Sequence, residues 1–158
     1  MDRRVAKAHE LWDSGEPLEA GRILYEMLPV QERPGWAVGV FDVCCSALET
    51  VPPELDTVRA LARTPSRWHE AHDAFQAVRR IVLAAEIAQP EAAPLPVRVL
   101  LLAENVAKVT YNASGGSAPF DHNAGWRIAS CARSVTDAVN DGGFHDDVWN
   151  ALSSVICL

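Results

Sequence analysis

Lysine is nearly absent from this chain: Lys7 and Lys108 stand against 12 arginines. In an alanine-rich sequence that bias reads as GC-rich, bacterial-like coding, so the arginine excess is given no functional weight. Basic residues stop at Arg133, after which Asp137, Asp141, Asp146 and Asp147 leave the end of the chain acidic. The net charge of −7 at pH 7 repels a phosphate backbone and argues against nucleic acid as a partner.

Long apolar runs are missing as well. No stretch approaches the roughly 20 apolar residues of a membrane span. Residues 1–15 carry charges throughout and hold no apolar core of a secretory signal. Both absences point to a cytoplasmic protein with no membrane partner. Cys44, Cys45, Cys131 and Cys157 lack the C-x-x-C spacing of zinc sites and lie among apolar neighbours, so they are expected as buried, reduced thiols. A Gly-rich phosphate loop, a G-x-S-x-G elbow and an H-E-x-x-H pair are all lacking, and no cofactor is implied. No segment alternates as a strand would.

What is present is helical periodicity punctuated by turn signals. With 158 residues, 49% of them hydrophobic, the chain suits one domain, 1–158, able to bury roughly 70% of its unfolded surface. Asp2 can cap a first helix with Val5, Ala8, Leu11 and Trp12 on one face, stopped by Gly15. Pro17 opens a second, with Ala20, Leu24, Met27 and Leu28 as its stripe before Pro29. A third helix is expected from Trp36 to Glu49, apolar on most sides and therefore central. Pro52-Pro53 precedes a short fourth helix through Val58 and Leu61. Thr64-Pro65 reads as the cap of a long fifth helix reaching Ala88, on the repeat Trp68, Ala71, Phe75, Val78, Val82 and Ala85. Residues 89–96 form a proline-rich internal loop. Helix six is expected over 96–113, and helix seven is capped by Asp121 or Asn123 and ended by Gly142-Gly143. A last helix starts at Phe144, with Asp146 and Asp147 in its first turn.

Ala8-x-x-Leu11, Gly15, Glu19-Ala20, Leu24, Met27 and Pro29 resemble one tetratricopeptide-type helix-turn-helix unit. The resemblance covers about 22 residues. One period later Asp42 falls where a small residue belongs, and the turn is Pro-Pro. The resemblance implies a protein-binding helical scaffold. The expected fold is an all-α compact bundle of seven to eight helices with a tetratricopeptide-like N-terminal hairpin.

Two constellations carry polar chemistry. On helix five, His69 and His72 lie three residues apart with Asp73 adjacent, a partial metal set that would need His122 or His145 as a third imidazole. These residues equally suit the wet face of an amphipathic helix, and no metal is expected. On helix six and the loop after it stand Glu104, Asn105, Lys108, Tyr111 and Asn112, then Asp121, His122 and Trp126. Arg98, Asn105 and Asn112 recur every seven residues, so a polar stripe crosses an otherwise apolar helix and must be satisfied by something. Glu104 and Lys108 are in favourable i,i+4 order. This cluster is the candidate surface for a ligand or partner, and Glu104, Asn105 and Lys108 are expected to matter more to function than to folding.

The functional reading is an interaction or adaptor module binding another protein. The alternative is a small-ligand binder or enzyme built on the cluster around 104–112. The apolar end Val155-Ile156-Cys157-Leu158 is expected to dock on its own domain rather than to pair two chains.

Overall fold

The computed structural model describes residues 2–85, 92–114 and 123–156. Among them are eight α-helices and no strand: α1 Arg3–Asp13, α2 Pro17–Glu26, α3 Arg33–Cys45, α4 Pro53–Ala62, α5 Ala71–Ala84, α6 Leu95–Ala113, α7 Ala124–Val139 and α8 Gly142–Leu152. Short 3-10 helices at Val30–Glu32, Pro65–Glu70 and Ser153–Ile156 join or end them. None of the described helices is long and apolar enough to cross a membrane.

Local chemistry sets the boundaries. Asp2 caps α1, its carboxylate accepting from the Arg4 amide at 2.8 Å, and Gly15 turns the chain at φ +84°, a backbone that favours glycine. The third helix begins at Arg33, three residues before the sequence places it, because Pro34 sits comfortably in a first turn that needs no amide donor. It also ends early, at Cys45, where the bonds from Ala47 to Cys44 and from Leu48 to Cys45 tighten to the three-residue step.

The long fifth helix is corrected in the same way. Pro65–Glu70 winds as a 3-10 helix and α5 starts only at Ala71. Thr64 does not cap it; its hydroxyl donates back to the Ala60 carbonyl at 2.7 Å. Residues 86–88, assigned to that helix, lie outside the described residues. Asn123 makes no side-chain capping bond to α7. The glycine pair does not end α7 either: Asn140 does, in the left-handed region at φ 53°. Gly142 and Gly143 open α8 instead, capped by Asp141 accepting from the Phe144 amide at 2.9 Å. Asp146 and Asp147 therefore fall beyond its first turn.

Helix α6 is the axis of the bundle, packed against α3, α4, α5 and α7. Seven of its apolar side chains are buried, including Val99, Leu102, Val106 and Val109. The N-terminal hairpin lies on the other side of α7, where α2 approaches unusually closely. A methyl group at Gly21 would stand 2.3 Å from the Trp126 carbonyl oxygen, and one at Gly125 would stand 2.2 Å from the Tyr25 ring. Two indoles tie the far helices together. Trp36 donates to the Leu152 carbonyl at 2.9 Å, and Trp12 donates to His145 Nε2 at 2.9 Å. Val155 docks into the core, while Cys157 and Leu158 lie outside the described residues.

Candidate functional site

The polar residues of α6 do not converge on one place. Successive residues of a helix point about 100° apart, so Glu104 and Asn105 address different neighbours although both are covered, at 5% and 6% exposure. Asn105 faces α7, donating to the Leu101 carbonyl at 2.9 Å and lying 3.5 Å from Cys131 Sγ. Arg98, one heptad earlier, faces the same helix and donates to the Ser134 carbonyl at 2.8 Å and to the Ala93 carbonyl at 2.7 Å. The seam thus answers Arg98 and the Asn105 amide nitrogen, while Asn105 Oδ1 is buried without a hydrogen-bond partner among the described residues.

Glu104 faces α5, where both carboxylate oxygens lie 3.4 Å from Arg79 Nη1. Burial pushes its carboxyl above the ordinary value, and the charges of Arg79 and Lys108 only partly offset that. Lys108 holds its ammonium 5.1 Å from the centre of the Phe75 ring, a cation–π geometry. One turn on, Tyr111 meets His72 with ring centres 5.9 Å apart. Glu104, Lys108 and Tyr111 therefore share the α5 side with His72, Phe75 and Arg79. Asn112 is half-buried near the end of α6, and Trp126 packs at the α2–α7 seam. Asp121 and His122 lie outside the described residues. Arg79 and Phe75 escape a reading of α6 alone, but the spacing 72, 75, 79 on α5 marks the face that meets it.

His69 lies in the 3-10 turn Pro65–Glu70 and His72 in the first turn of α5. His69 and Asp73 are exposed, and His72 Nε2 lies 3.5 Å from Gln76 Nε2. Among the described residues no three His, Cys, Asp or Glu side chains gather as a metal would require. The third imidazole offered by the described residues, His145, already accepts the Trp12 indole bond. Cys44 and Cys45 are buried free thiols and Cys131 is half-buried. Burial pushes Cys45 and Cys131 each up to about 11 and raises Cys44 further.

A different place has the form of a binding site. Between α3 and the Pro65–Glu70 turn lies an open cleft of about 520 Å³, inside the range usual for ligand pockets. Leu28, Trp36, Val38, Trp68 and Val155 border it, all of them buried apolar residues. Gly35, exposed, and Gly39, half-buried, one turn apart on α3, also line it. A methyl group at either glycine would meet nothing within 4 Å. Glycine inside a helix costs about 0.5–1 kcal/mol relative to alanine, and here packing gives no reason for it. Among the described residues three buried side-chain polar atoms lack a hydrogen-bond partner: Glu32 Oε2 and Trp68 Nε1, of residues that line the cleft, and Asn105 Oδ1 on α6. Each such atom costs about 1–3 kcal/mol. Trp36 and Trp68, read from the sequence as apolar-stripe residues, are indeed buried, at 6% and 8% exposure, so they gave no sign of a cleft beside them. The available signal was Gly35-x-x-x-Gly39 inside an apolar helix.

No protein-family model matches the sequence, and neither a curated protein nor a solved structure matches the chain.

Proposed function

We propose that this protein is an interaction module that receives a segment of a partner protein in the cleft between α3 and the Pro65–Glu70 turn. The observation that carries the reading is the pair Gly35 and Gly39, which keep the cleft open at a cost in helix stability with no compensating close contact. Fold stability alone would favour alanine at both positions.

The tetratricopeptide-like α1–α2 hairpin enters this proposal as scaffold. Its α2 face is pressed against α7 through Gly21 and Gly125, which leaves recognition to the cleft. Glu104 and Asn105 are covered and enter as internal supports of α6, with Lys108, Tyr111 and Asn112 left half-exposed beside them. The acidic charge and buried free thiols fit a cytoplasmic setting.

The test is selection of a displayed random peptide library on the wild-type protein, followed by NMR of the indole N–H signals with an enriched peptide. The proposal expects the Trp36 and Trp68 signals to move while Trp12, which does not border the cleft and is bonded to His145, stays in place. Failure to enrich any peptide, or movement confined to indoles outside the cleft, overturns it.

A further inference from the structure

Away from the cleft, helices α1 and α8 meet through aromatic rings. His9 stacks on Trp149 with ring centres 4.5 Å apart, and Trp12 lies against both His145 and Trp149, at 5.2 and 6.0 Å. A hydrogen bond crosses this seam from Trp12 Nε1 to His145 Nε2 at 2.9 Å. We propose that this bond is a pH-sensitive latch, cancelled when His145 takes up a proton, so that the start of α8 comes free of α1.

The chemistry of the two partners carries the proposal. An indole N–H can only donate, so His145 Nε2 must offer a lone pair and the ring proton must sit on Nδ1. The protonated ring carries hydrogen on both nitrogens. Proton uptake therefore sets two donors face to face, at a separation that suits only a donor and an acceptor. Trp12 is the side that stays. It is fully buried, and Arg133 holds it by stacking a guanidinium carbon 5.2 Å from the ring centre and donating to the Trp12 carbonyl. His145 is half-buried in the first turn of α8 and borders an open cavity of about 280 Å³ into which it can turn.

Charges of both signs surround the seam. From α7, Asp137 borders the same cavity and pairs with Arg133 Nε at 3.2 Å, while Arg133 places its cation over Trp12. Asp141, the cap of α8, borders the cavity too, and Asp146 and Asp147 follow His145 directly. From α1, His9 pairs with Asp13 at 3.4 Å. On α3, which also packs against α8, the charged residues are Arg33, stacked on Tyr25, and Asp42, bonded to Arg59. A protonated His9 would keep Asp13 and gain a cation–π contact on Trp149, so it acts in the opposite sense to His145. Only His145 faces the Trp12 donor. Because the bond exists with the neutral ring, its contribution to stability is present above the pH range in which histidine titrates and is lost as pH falls through it.

The test follows the tryptophan indole N–H signals of the full chain by NMR from about pH 7.5 to about pH 5.5, the span of histidine titration. His145→Gln is the reference, because its side-chain oxygen accepts the Trp12 bond and does not titrate. In the wild type the Trp12 signal should move upfield in step with the ring protons of His145, and in His145→Gln it should stay in place. Over the same span the melting temperature of the wild type should fall by about 2–4 °C relative to His145→Gln. Groups common to both proteins, His9 and Glu104 among them, cancel from that difference. His9→Gln should leave the Trp12 response intact. The wild-type titration reads the bond directly and decides on its own, whether or not His145→Gln folds. A Trp12 signal that holds while His145 titrates, an equal movement in His145→Gln, or a His145 ring that takes up no proton over this span overturns the latch.

Discussion

Substitution of Gly125 by alanine tests the packing of the bundle most sharply, because two opposing effects have calculable sizes. Alanine gains about 0.8–1 kcal/mol of helix propensity over glycine. Against this, its methyl group would lie 2.2 Å from Tyr25 Cε2, so the ring must retreat by about 1.3 Å to reach an ordinary carbon contact of ~3.5 Å. The ring has little room. Arg33 stacks on it with the guanidinium carbon 4.1 Å from its centre, and Trp36 stands beyond at 6.2 Å. Overpacking of this kind costs about 1–3 kcal/mol, and a pinned ring places the cost at the upper end. The net loss is about 2 kcal/mol, a fall in melting temperature of about 4–8 °C for a chain of this size. Gly39→Ala meets no neighbour and should instead raise it by about 2–4 °C, on the propensity gain alone. The assay is thermal unfolding by circular dichroism, with Gly125→Ala repeated in a Tyr25→Leu background, where most of the penalty should vanish. A Gly125→Ala variant that melts at or above the wild type, or a penalty unchanged by Tyr25→Leu, refutes the reasoning.

The remaining predictions concern buried polar groups. Burial holds the folded pKa of Glu104 above its unfolded value, so its contribution to stability is fully present below the unfolded pKa and is lost as pH rises through the folded one; Glu104→Gln should therefore gain on the wild type at pH 7 and lose that advantage near pH 4, as melting curves at both values will show. His145→Ala strands the fully buried Trp12 indole N–H and should lower stability by about 1–3 kcal/mol in urea titration. Cys45 and Cys131, with thiols pushed up to about 11, should resist iodoacetamide at pH 8 in the folded protein and react once it is unfolded, read by peptide mass mapping.

The fold was legible wherever local chemistry decides. Asp2, Gly15, Pro17 and the Pro52-Pro53 break each set a helix boundary where the sequence placed it, because capping and proline geometry act over only a few residues. The 3-10 turn at Pro65–Glu70 was not legible. Its apolar repeat runs unbroken into α5, and periodicity cannot distinguish a three-residue step from a four-residue one over a single turn. Likewise Asn140 and the pair Gly142-Gly143 both suit a helix end, and only the fold shows that Asn140 takes the left-handed position while the glycines start α8.

The candidate site was legible in part. A polar stripe on α6 demanding partners was visible in the spacing of Arg98, Asn105 and Asn112. That its first two members turn toward α7, while Glu104 turns toward Arg79, depends on how three helices are arranged about α6. The cleft is formed by three stretches of the chain, and the 28–39 segment, Trp68 and Val155 become neighbours only through the tertiary fold.

The central claim is that Gly35 and Gly39 hold the cleft open for a partner, and one variant tests it by two readings. Gly39→Leu places a side chain at the cleft where a methyl group meets nothing within 4 Å. Measured together, its melting temperature should equal or exceed that of the wild type, while its affinity for a peptide selected on the wild type falls below detection. Retained affinity in the filled variant, or a melting temperature that drops along with binding, contradicts the account.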